Sequence, residues 1–172
     1  MKRGPIPAEP SPKWLRPVID TREQSPWEFP NLGEPIVKTV NVADYTYLFG
    51  EHLFRVERKS GPDYLSSLFT ERFDKEMQLI KAFPTHALII EGSWEWLESG
   101  VYRINASAKS VTGKTLGYIE SGVNVILAGT RERAQTICER LMYMSARRRW
   151  RELHGMLSGM TAEAELEEAP TA

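Results

Sequence analysis

Cysteine is almost missing from this sequence of 172 residues, and long apolar runs are missing altogether. With Cys138 as its one cysteine, the chain cannot form an intramolecular disulfide or a zinc site built from several cysteines. No apolar run approaches the roughly 20 residues that cross a bilayer, and the first residues lack the apolar stretch of a signal peptide. We therefore expect a cytoplasmic protein of a bacterium or of a phage-infected host cell.

An excess of positive charge is also missing, because the formal net charge of the chain is −1. Residues 160–172 hold four glutamates and no lysine or arginine, so the rest of the chain carries a net charge of +3. A mildly basic body with an acidic end does not by itself indicate a nucleic-acid partner. The hydrophobic content of 41% is enough for one packed core, and the length predicts a single domain.

The composition divides the chain into three predicted segments. Five prolines fall within residues 1–17, which predicts a flexible Pro-rich segment over residues 1–16. Residues 17–153 carry the periodic apolar patterns of a folded domain. Residues 154–172 are rich in Ala, Glu and Thr and are predicted to form an acidic disordered tail.

Strand and helix patterns alternate through the middle segment. Strands are predicted at residues 17–19, 36–42, 45–49, 53–57, 86–90 and 123–128, with a hairpin turn at Gly50. Helices are predicted from Pro62, over 72–83, over 108–121 behind a Ser107 cap, and from Thr130 onward. This alternation predicts an α/β fold in which helices cover both faces of one sheet.

Acidic side chains stand at the ends or edges of four of these strands, at Asp20, Asp44, Glu57 and Glu91. Asp44 and Glu57 lie on strands that we expect to be neighbours, and Lys59 points to the same face as Glu57 because side chains alternate along a strand. Mg²⁺ takes oxygen ligands and usually only one or two carboxylates. Two carboxylates and a lysine suit phosphodiester hydrolysis, in which the metal activates water and the ammonium offsets developing charge. From the spacing alone, a solvated surface hairpin is the more common explanation of this pattern.

The order of several short motifs resembles the XPF-type structure-specific endonucleases. Val56-Glu57-Arg58-Lys59-Ser60-Gly61-Pro62-Asp63 is similar to that family's E-R-K-x-x-x-D signature. Upstream, Asp20-Thr21-Arg22-Glu23 resembles its D-x-R-E motif, and Ala43-Asp44-Tyr45 its G-D-Y segment. The likeness extends over about residues 17–150.

The resemblance implies a single-domain restriction-endonuclease-like fold, with a central mixed sheet flanked by helices on both faces. It implies a Mg²⁺-dependent endodeoxyribonuclease, with Mn²⁺ as a substitute, and metal ligands Asp44 and Glu57 with Asp20 close by. The implied catalytic set is Asp20, Arg22, Glu23, Asp44, Glu57, Arg58, Lys59 and Asp63. Arg58 and Arg72 are the implied DNA contacts.

The likeness is incomplete at two positions. The family's glycine before the catalytic aspartate is Ala43 here, which matters if that position needs a positive φ. The usual G-R-L-x-x-Q is replaced by Glu71-Arg72-Phe73-Asp74-Lys75-Glu76, which weakens the expected DNA contact at Arg72.

The implied substrate is branched, flap or fork DNA, and no membrane partner is expected. Family members pair through late helices and a helix-hairpin-helix module, so we expect a homodimer or a partner protein that supplies that module. The alternative is a catalytically inactive DNA-binding or scaffold subunit that keeps the fold.

Two further clusters have open interpretations. Trp94 and Trp96 are more typical of a sheet edge or an interface than of base stacking. The basic run from Arg147 to Arg151 fits a solvated helix end as well as a phosphate contact. Thr112-Gly113-Lys114-Thr115 is similar to the end of a phosphate-binding loop but is better explained as part of a helix.

Overall fold

A six-stranded mixed sheet forms the centre of the fold, in a computed structural model that describes residues 8–167 and the side-chain surroundings of residues 8–159. The strands are β1 (Pro17–Ile19), β2 (Ile36–Val37), β3 (Tyr45–Tyr47), β4 (Phe54–Ser60), β5 (Thr85–Glu91) and β6 (Val125–Leu127). The helices are α1 (Gly61–Ser67), α2 (Glu71–Ile80), α3 (Trp94–Ser99), α4 (Ala108–Glu120) and α5 (Arg131–Glu167). None of these helices is both long and apolar enough to cross a membrane.

The sheet has the order β2-β1-β3-β4-β5-β6. β3 runs antiparallel to both β1 and β4, whereas the pairs β1–β2, β4–β5 and β5–β6 are parallel. β4 therefore has an antiparallel partner on one side and a parallel partner on the other. This brings the hairpin acids of β3 and β4 close to the helices that follow β4.

The apolar residues of β5 are divided between the two faces of the sheet. Ala87 and Ile89 pack with Cys138 and Met142 of α5, whereas Leu88 and Ile90 pack with side chains of α1, α2 and α4. Helices therefore cover both faces, as predicted. A strand that is buried on both sides needs apolar side chains at every position, which explains its nearly continuous apolar sequence.

Side-chain caps fix where most helices begin. The side chains of Ser60, Thr70, Ser93 and Ser107 each accept a hydrogen bond from a backbone amide three residues later. Such caps satisfy amides that the helix itself leaves unpaired. The predicted helix over 108–121 is confirmed, and Gly122 leaves it with a φ of 94°.

Both ends of the domain are more ordered than the composition predicts. In the N-terminal segment a short 3-10 helix spans Pro12–Trp14, Leu15 is buried, and the Lys13 ammonium donates to the Pro30 carbonyl at 2.7 Å. The disordered tail predicted from residue 154 is wrong up to Glu167, since α5 continues to that residue. Leu, Met, Ala and Glu dominate this stretch and are strong helix formers. Residues 1–7 and 168–172 of the predicted segments lie outside the described residues.

Two internal elements also differ from the prediction. The strand expected over 36–42 ends at Val37, because the backbone amide of Val40 turns to donate to the Asp20 carboxylate. Trp94 and Trp96 belong to the short helix α3, where both rings are half-buried against the core. They therefore do not close a sheet edge.

Candidate active site

Asp44, Glu57 and Lys59 line one cavity of about 240 Å³ at the β3–β4 hairpin. Asp44 precedes β3, its backbone amide donates to the Val56 carbonyl at 3.0 Å, and its Oδ2 accepts from the Arg58 amide at 2.8 Å. Glu57 and Lys59 extend from the same face of β4, and the Lys59 Nζ lies 2.7 Å from the Glu57 Oε1. The hairpin register thus places two carboxylates and one ammonium together, as the alternation of side chains predicts.

Burial makes this group of charges unusually sensitive to what fills the cavity. It raises the pKa of Asp44 to about 8, and repulsion from Glu57 adds to the effect. Burial also raises the pKa of the Glu57 carboxyl. The same burial would lower the pKa of Lys59, but attraction to Glu57 outweighs it and raises that pKa. The site therefore holds one ammonium against two carboxylates that are costly to ionise without another cation.

The oxygen atoms of the two carboxylates fit a hard divalent cation. Among the hydrogen bonds of the described residues, Asp44 uses only Oδ2 and Glu57 only Oε1, so each keeps one oxygen without a protein donor. The described chain has no cluster of three or more His, Cys, Asp or Glu side chains arranged for a metal. Two carboxylates are nevertheless the number that Mg²⁺ usually takes from protein.

Ala43 holds the backbone that presents Asp44 in a left-handed conformation, with a φ of 65°. An L-residue is disfavoured there because its Cβ approaches the following carbonyl oxygen. Glycine adopts this conformation without that clash. The position therefore does need a positive φ, and the chain meets that need with alanine.

Asp20 lies behind the cavity and does not line it. Its buried carboxylate accepts from the amide and Nε of Arg22 and from the Val40 amide. Burial alone would raise the pKa of Asp20, but these hydrogen bonds outweigh it and lower that pKa. Since both carboxylate oxygens are engaged, Asp20 serves in this structure to hold Arg22, which lines the cavity and is largely exposed.

Arg58 extends from the face of β4 opposite to Glu57 and Lys59. Its Nε lies 2.8 Å from Glu91 Oε1 and its Nη1 lies 3.0 Å from Glu23 Oε1. The Trp27 indole and Arg131 also donate to Glu91. Arg58 and Glu23 therefore belong to a nearly buried ion-pair network that joins β4, β5, α5 and the loop after β1.

Asp63 acts at the start of α1. Its Oδ2 accepts from the Ser60 hydroxyl at 2.6 Å, and its amide donates back to the same Oγ at 3.3 Å. This reciprocal pair is a helix cap. In the part of the chain that the structure describes, the Asp63 side chain contacts neither Arg58 nor Lys59 through a hydrogen bond.

Helix α2 supplies the outer wall of the cavity. Arg72, the predicted DNA contact, lines it with its side chain 84% exposed and its Nε 2.9 Å from Glu76 Oε1. Glu76 was not predicted, although it occupies the place of the glutamine in G-R-L-x-x-Q and lies one helical turn after Arg72. Asn41 and Leu79 complete the rim and carry no sequence signal.

The remaining sequence features lie outside this cavity. Lys114 of the phosphate-loop-like stretch is in the middle of α4 and pairs with Asp74 at 2.6 Å, so that stretch is helix, as predicted. Within the basic run, Arg147 pairs with Glu9 and Arg148 donates to the Thr85 hydroxyl. Contacts within the chain therefore account for these two arginines.

Known proteins resemble this chain both in sequence motifs and in fold. The model of the ERCC4 domain matches residues 19–156. The structure of XPF from Aeropyrum pernix matches with a TM-score of 0.61 and 21% identity, over 86% of this chain and 73% of that chain. XPF from Aeropyrum pernix in complex with DNA matches with a TM-score of 0.61 and 23% identity, over 76% of this chain and 64% of that chain. No curated protein matches. These likenesses confirm the predicted family and fold.

Proposed function

The chain belongs to the ERCC4 domain family, and on this basis we propose that it is a metal-dependent DNA endonuclease. The observation that carries the proposal is the convergence of Asp44, Glu57 and Lys59 in one cavity. A solvated surface hairpin would not bury two carboxylates beside each other, because burial disfavours their charged forms. Arg22 and Arg72 at the rim add the positive charge that a phosphodiester requires.

Asp44 and Glu57 would hold the metal ion through the oxygens that lack protein donors. When bound, Mg²⁺ or Mn²⁺ would polarise the phosphate and lower the pKa of a coordinated water. Lys59 retains its proton beside Glu57, so it serves as a hydrogen-bond donor to water or phosphate and not as a base. Arg22 and Arg72 bind and orient the non-bridging phosphate oxygens.

The net reaction is hydrolysis of a P–O3′ bond. The oxygen of water bonds to phosphorus, and the bond to O3′ breaks with its electron pair leaving on that oxygen. One proton from water is released and one is taken up by O3′, which gives a 3′ hydroxyl and a 5′ phosphate. Lys59 offsets the negative charge that accumulates on the phosphate as the new bond forms.

The proposed substrate is a branched, flap or fork duplex, met in repair, recombination or replication, and the proposed active form is a homodimer or a complex with a partner protein. Support comes from the motif resemblance and from the fold shared with XPF from Aeropyrum pernix, whose second structure contains DNA. Light scattering of the purified protein, with and without branched DNA, measures the stoichiometry. A monomer under both conditions argues against the dimer.

The direct test uses 5′-labelled flap, fork, splayed and linear duplexes with Mg²⁺, Mn²⁺ or EDTA. We expect cleavage of a branched duplex that requires the divalent ion. Asp44→Asn, Glu57→Gln and Lys59→Met should each lower the cleavage rate by about 10²–10⁴-fold. Glu98→Gln and Lys109→Met change exposed side chains away from the cavity and should leave the rate unchanged. Failure to cut any of the four substrates would refute the proposal, and DNA binding without cleavage would indicate the non-catalytic subunit.

A further inference from the structure

A second cavity lies against the candidate active site on the other side of three shared side chains. Its volume is about 340 Å³, and Lys59, Arg72 and Glu76 line both cavities. Its remaining walls come from the end of α1, the turn after it and the first turn of α2. A group in this second cavity would therefore be a direct neighbour of a group in the first.

The polar lining of the second cavity consists mainly of hydrogen-bond donors. Ser66, Ser67 and Thr70 supply hydroxyls, and Lys59 and Arg72 supply positive charge. Glu76 is the one carboxylate in this lining, and the Arg72 guanidinium neutralises it at 2.9 Å. Such a set suits an anion with several acceptor oxygens and offers little to a second metal ion.

The three hydroxyls are not equivalent. Ser66 donates to the Asp63 carbonyl at 3.0 Å, and Thr70 donates to the Ser67 carbonyl at 2.7 Å. Ser67 is a half-buried residue, and its hydroxyl has no hydrogen-bond partner among the described residues. The turn from Ser67 to Thr70 is fixed by the Thr70 amide, which donates to the Ser67 carbonyl at 2.9 Å. The backbone of Ser67 is therefore fixed at the cavity wall, while its hydroxyl is available to donate to a group in the cavity.

Arg72 can serve either cavity because little of its side chain is buried. The side chain is 84% exposed, so the contact with Glu76 is the kind of surface ion pair that contributes little free energy. Only the Nε of Arg72 is engaged by Glu76, so the other N–H groups of the guanidinium can donate to a phosphate oxygen while Glu76 stays neutralised. The arginine that reaches the scissile phosphate is therefore also within reach of the next phosphate.

We propose that the second cavity binds the phosphodiester adjacent to the scissile one, through Ser67, Arg72 and the ammonium of Lys59. This rests on the proposed function, since it takes the first cavity as the place of the scissile phosphate. Successive phosphates of a DNA strand are joined by one sugar, and two adjacent cavities with shared basic walls match that arrangement. Ser67 is then a DNA-positioning residue that fixes which bond is cut, because the turn holds its backbone at the cavity wall.

The test measures whether the effect of changing Ser67 depends on the charge of one particular phosphate of the substrate. A neutral methylphosphonate linkage is introduced at one position at a time across the branched duplex, and both cleavage and binding in EDTA are measured. For the wild type we expect one position beside the cut at which neutralisation weakens binding and cleavage about tenfold, the size of one charge-assisted hydrogen bond. Ser67→Ala should weaken binding and cleavage of the unmodified duplex, and the further loss from the neutral linkage at that position should be smaller than in the wild type, because only the contacts of Arg72 and Lys59 then remain to be lost.

Conservative and distant variants separate binding from folding effects. Ser67→Thr keeps the hydroxyl and should retain the coupling, and Ser67→Ala should unfold at the wild-type temperature. Ser110→Ala, at an exposed serine in the first turn of α4, should show the wild-type pattern at every position. If the losses from Ser67→Ala and from the neutral linkage multiply at every position, the proposal is overturned.

The binding measurement keeps this result distinct from the enzyme test. Coupling in EDTA without cleavage in Mg²⁺ would support the second cavity and refute the proposed activity. Cleavage in Mg²⁺ without coupling at any position would refute the second cavity and leave the activity intact.

Discussion

Replacing Arg58 with alanine tests whether a residue in the middle of the signature acts on DNA or on the fold. The Arg58 side chain is 11% exposed and contacts Glu23 and Glu91, whose side chains are 10% and 11% exposed. Burial alone would raise the pKa of Glu91, but hydrogen bonds from Arg58 and Trp27 outweigh it and lower that pKa. Removing Arg58 leaves two buried carboxylates with fewer partners.

The expected cost follows from leaving those charges uncompensated. Breaking a buried ion pair from one side typically destabilises a protein by about 3–5 kcal/mol. For a domain of this size, that free energy corresponds to a decrease in Tm on the order of 10 °C. The cleavage rate of Arg58→Ala, measured well below its Tm, should stay within about fivefold of wild type, since the side chain does not line the active-site cavity.

The neighbouring residue on the same strand provides the matched comparison. Lys59→Met changes the side chain on the opposite face and should abolish most cleavage with a smaller decrease in Tm, because burial already raises the pKa of Glu57 and this carboxyl can take up a proton when its partner is removed. Calorimetry and a single-turnover cleavage assay on both variants measure the contrast. Adding Glu91→Gln to Arg58→Ala should recover part of the lost stability, because it removes one orphaned charge. If Arg58→Ala kept the wild-type Tm and lost cleavage by more than a hundredfold, the assignment of Arg58 to the fold would be wrong.

Three further predictions concern stability and accessibility. Ala43→Gly should stabilise the protein by about 0.5–1 kcal/mol in urea unfolding, because the left-handed conformation costs alanine about 1–2 kcal/mol and glycine's greater unfolded-state entropy offsets part of the gain; a loss of stability would contradict this. The pKa of Asp20 is lowered in the folded state, so its stabilising contribution is present above its unfolded pKa of about 3.9 and is lost as the pH falls through its folded pKa. Unfolding at pH 2.5–7 should therefore show an acid-dependent loss that is smaller in Asp20→Asn, and equal losses would contradict the contacts of Asp20. Burial raises the pKa of the Cys138 thiol well above its usual value, so a thiol-specific reagent should label native protein only at the rate of unfolding and urea-unfolded protein at once.

The parts of the fold that the sequence predicts best are those with one dominant physical cause. β5 and the core face of α5 are predicted because both must be apolar wherever another layer covers them. The cap at Ser107 is predicted because a serine before a periodic segment satisfies unpaired amides. The end of β2 at Val37 is not predicted, since it depends on a carboxylate 20 residues earlier in the chain that captures the Val40 amide.

The sequence predicts the candidate site only in part, for the same physical reason. Strand alternation alone brings Glu57 and Lys59 together, and the hairpin adds Asp44. Asp20 stands at a strand end in the correct order, yet only the path of residues 38–42 reveals that its two oxygens are already engaged. Glu76 is missed because a helix wall was not expected to contribute a carboxylate to the cavity.

Alternation also implies that a contiguous signature on a strand cannot act as one unit. Arg58 lies between Glu57 and Lys59, so its side chain must leave the opposite face of β4, where it joins the network of Glu91. Asp63 lies beyond the strand and caps the helix that follows. The signature therefore combines two residues for the cavity, one for the opposite core and one for a helix start. Substitutions within these seven residues should reduce activity by two separable routes, one that changes Tm little and one that lowers it strongly. A loss of cleavage at this motif therefore identifies a catalytic residue only when stability is measured on the same variant.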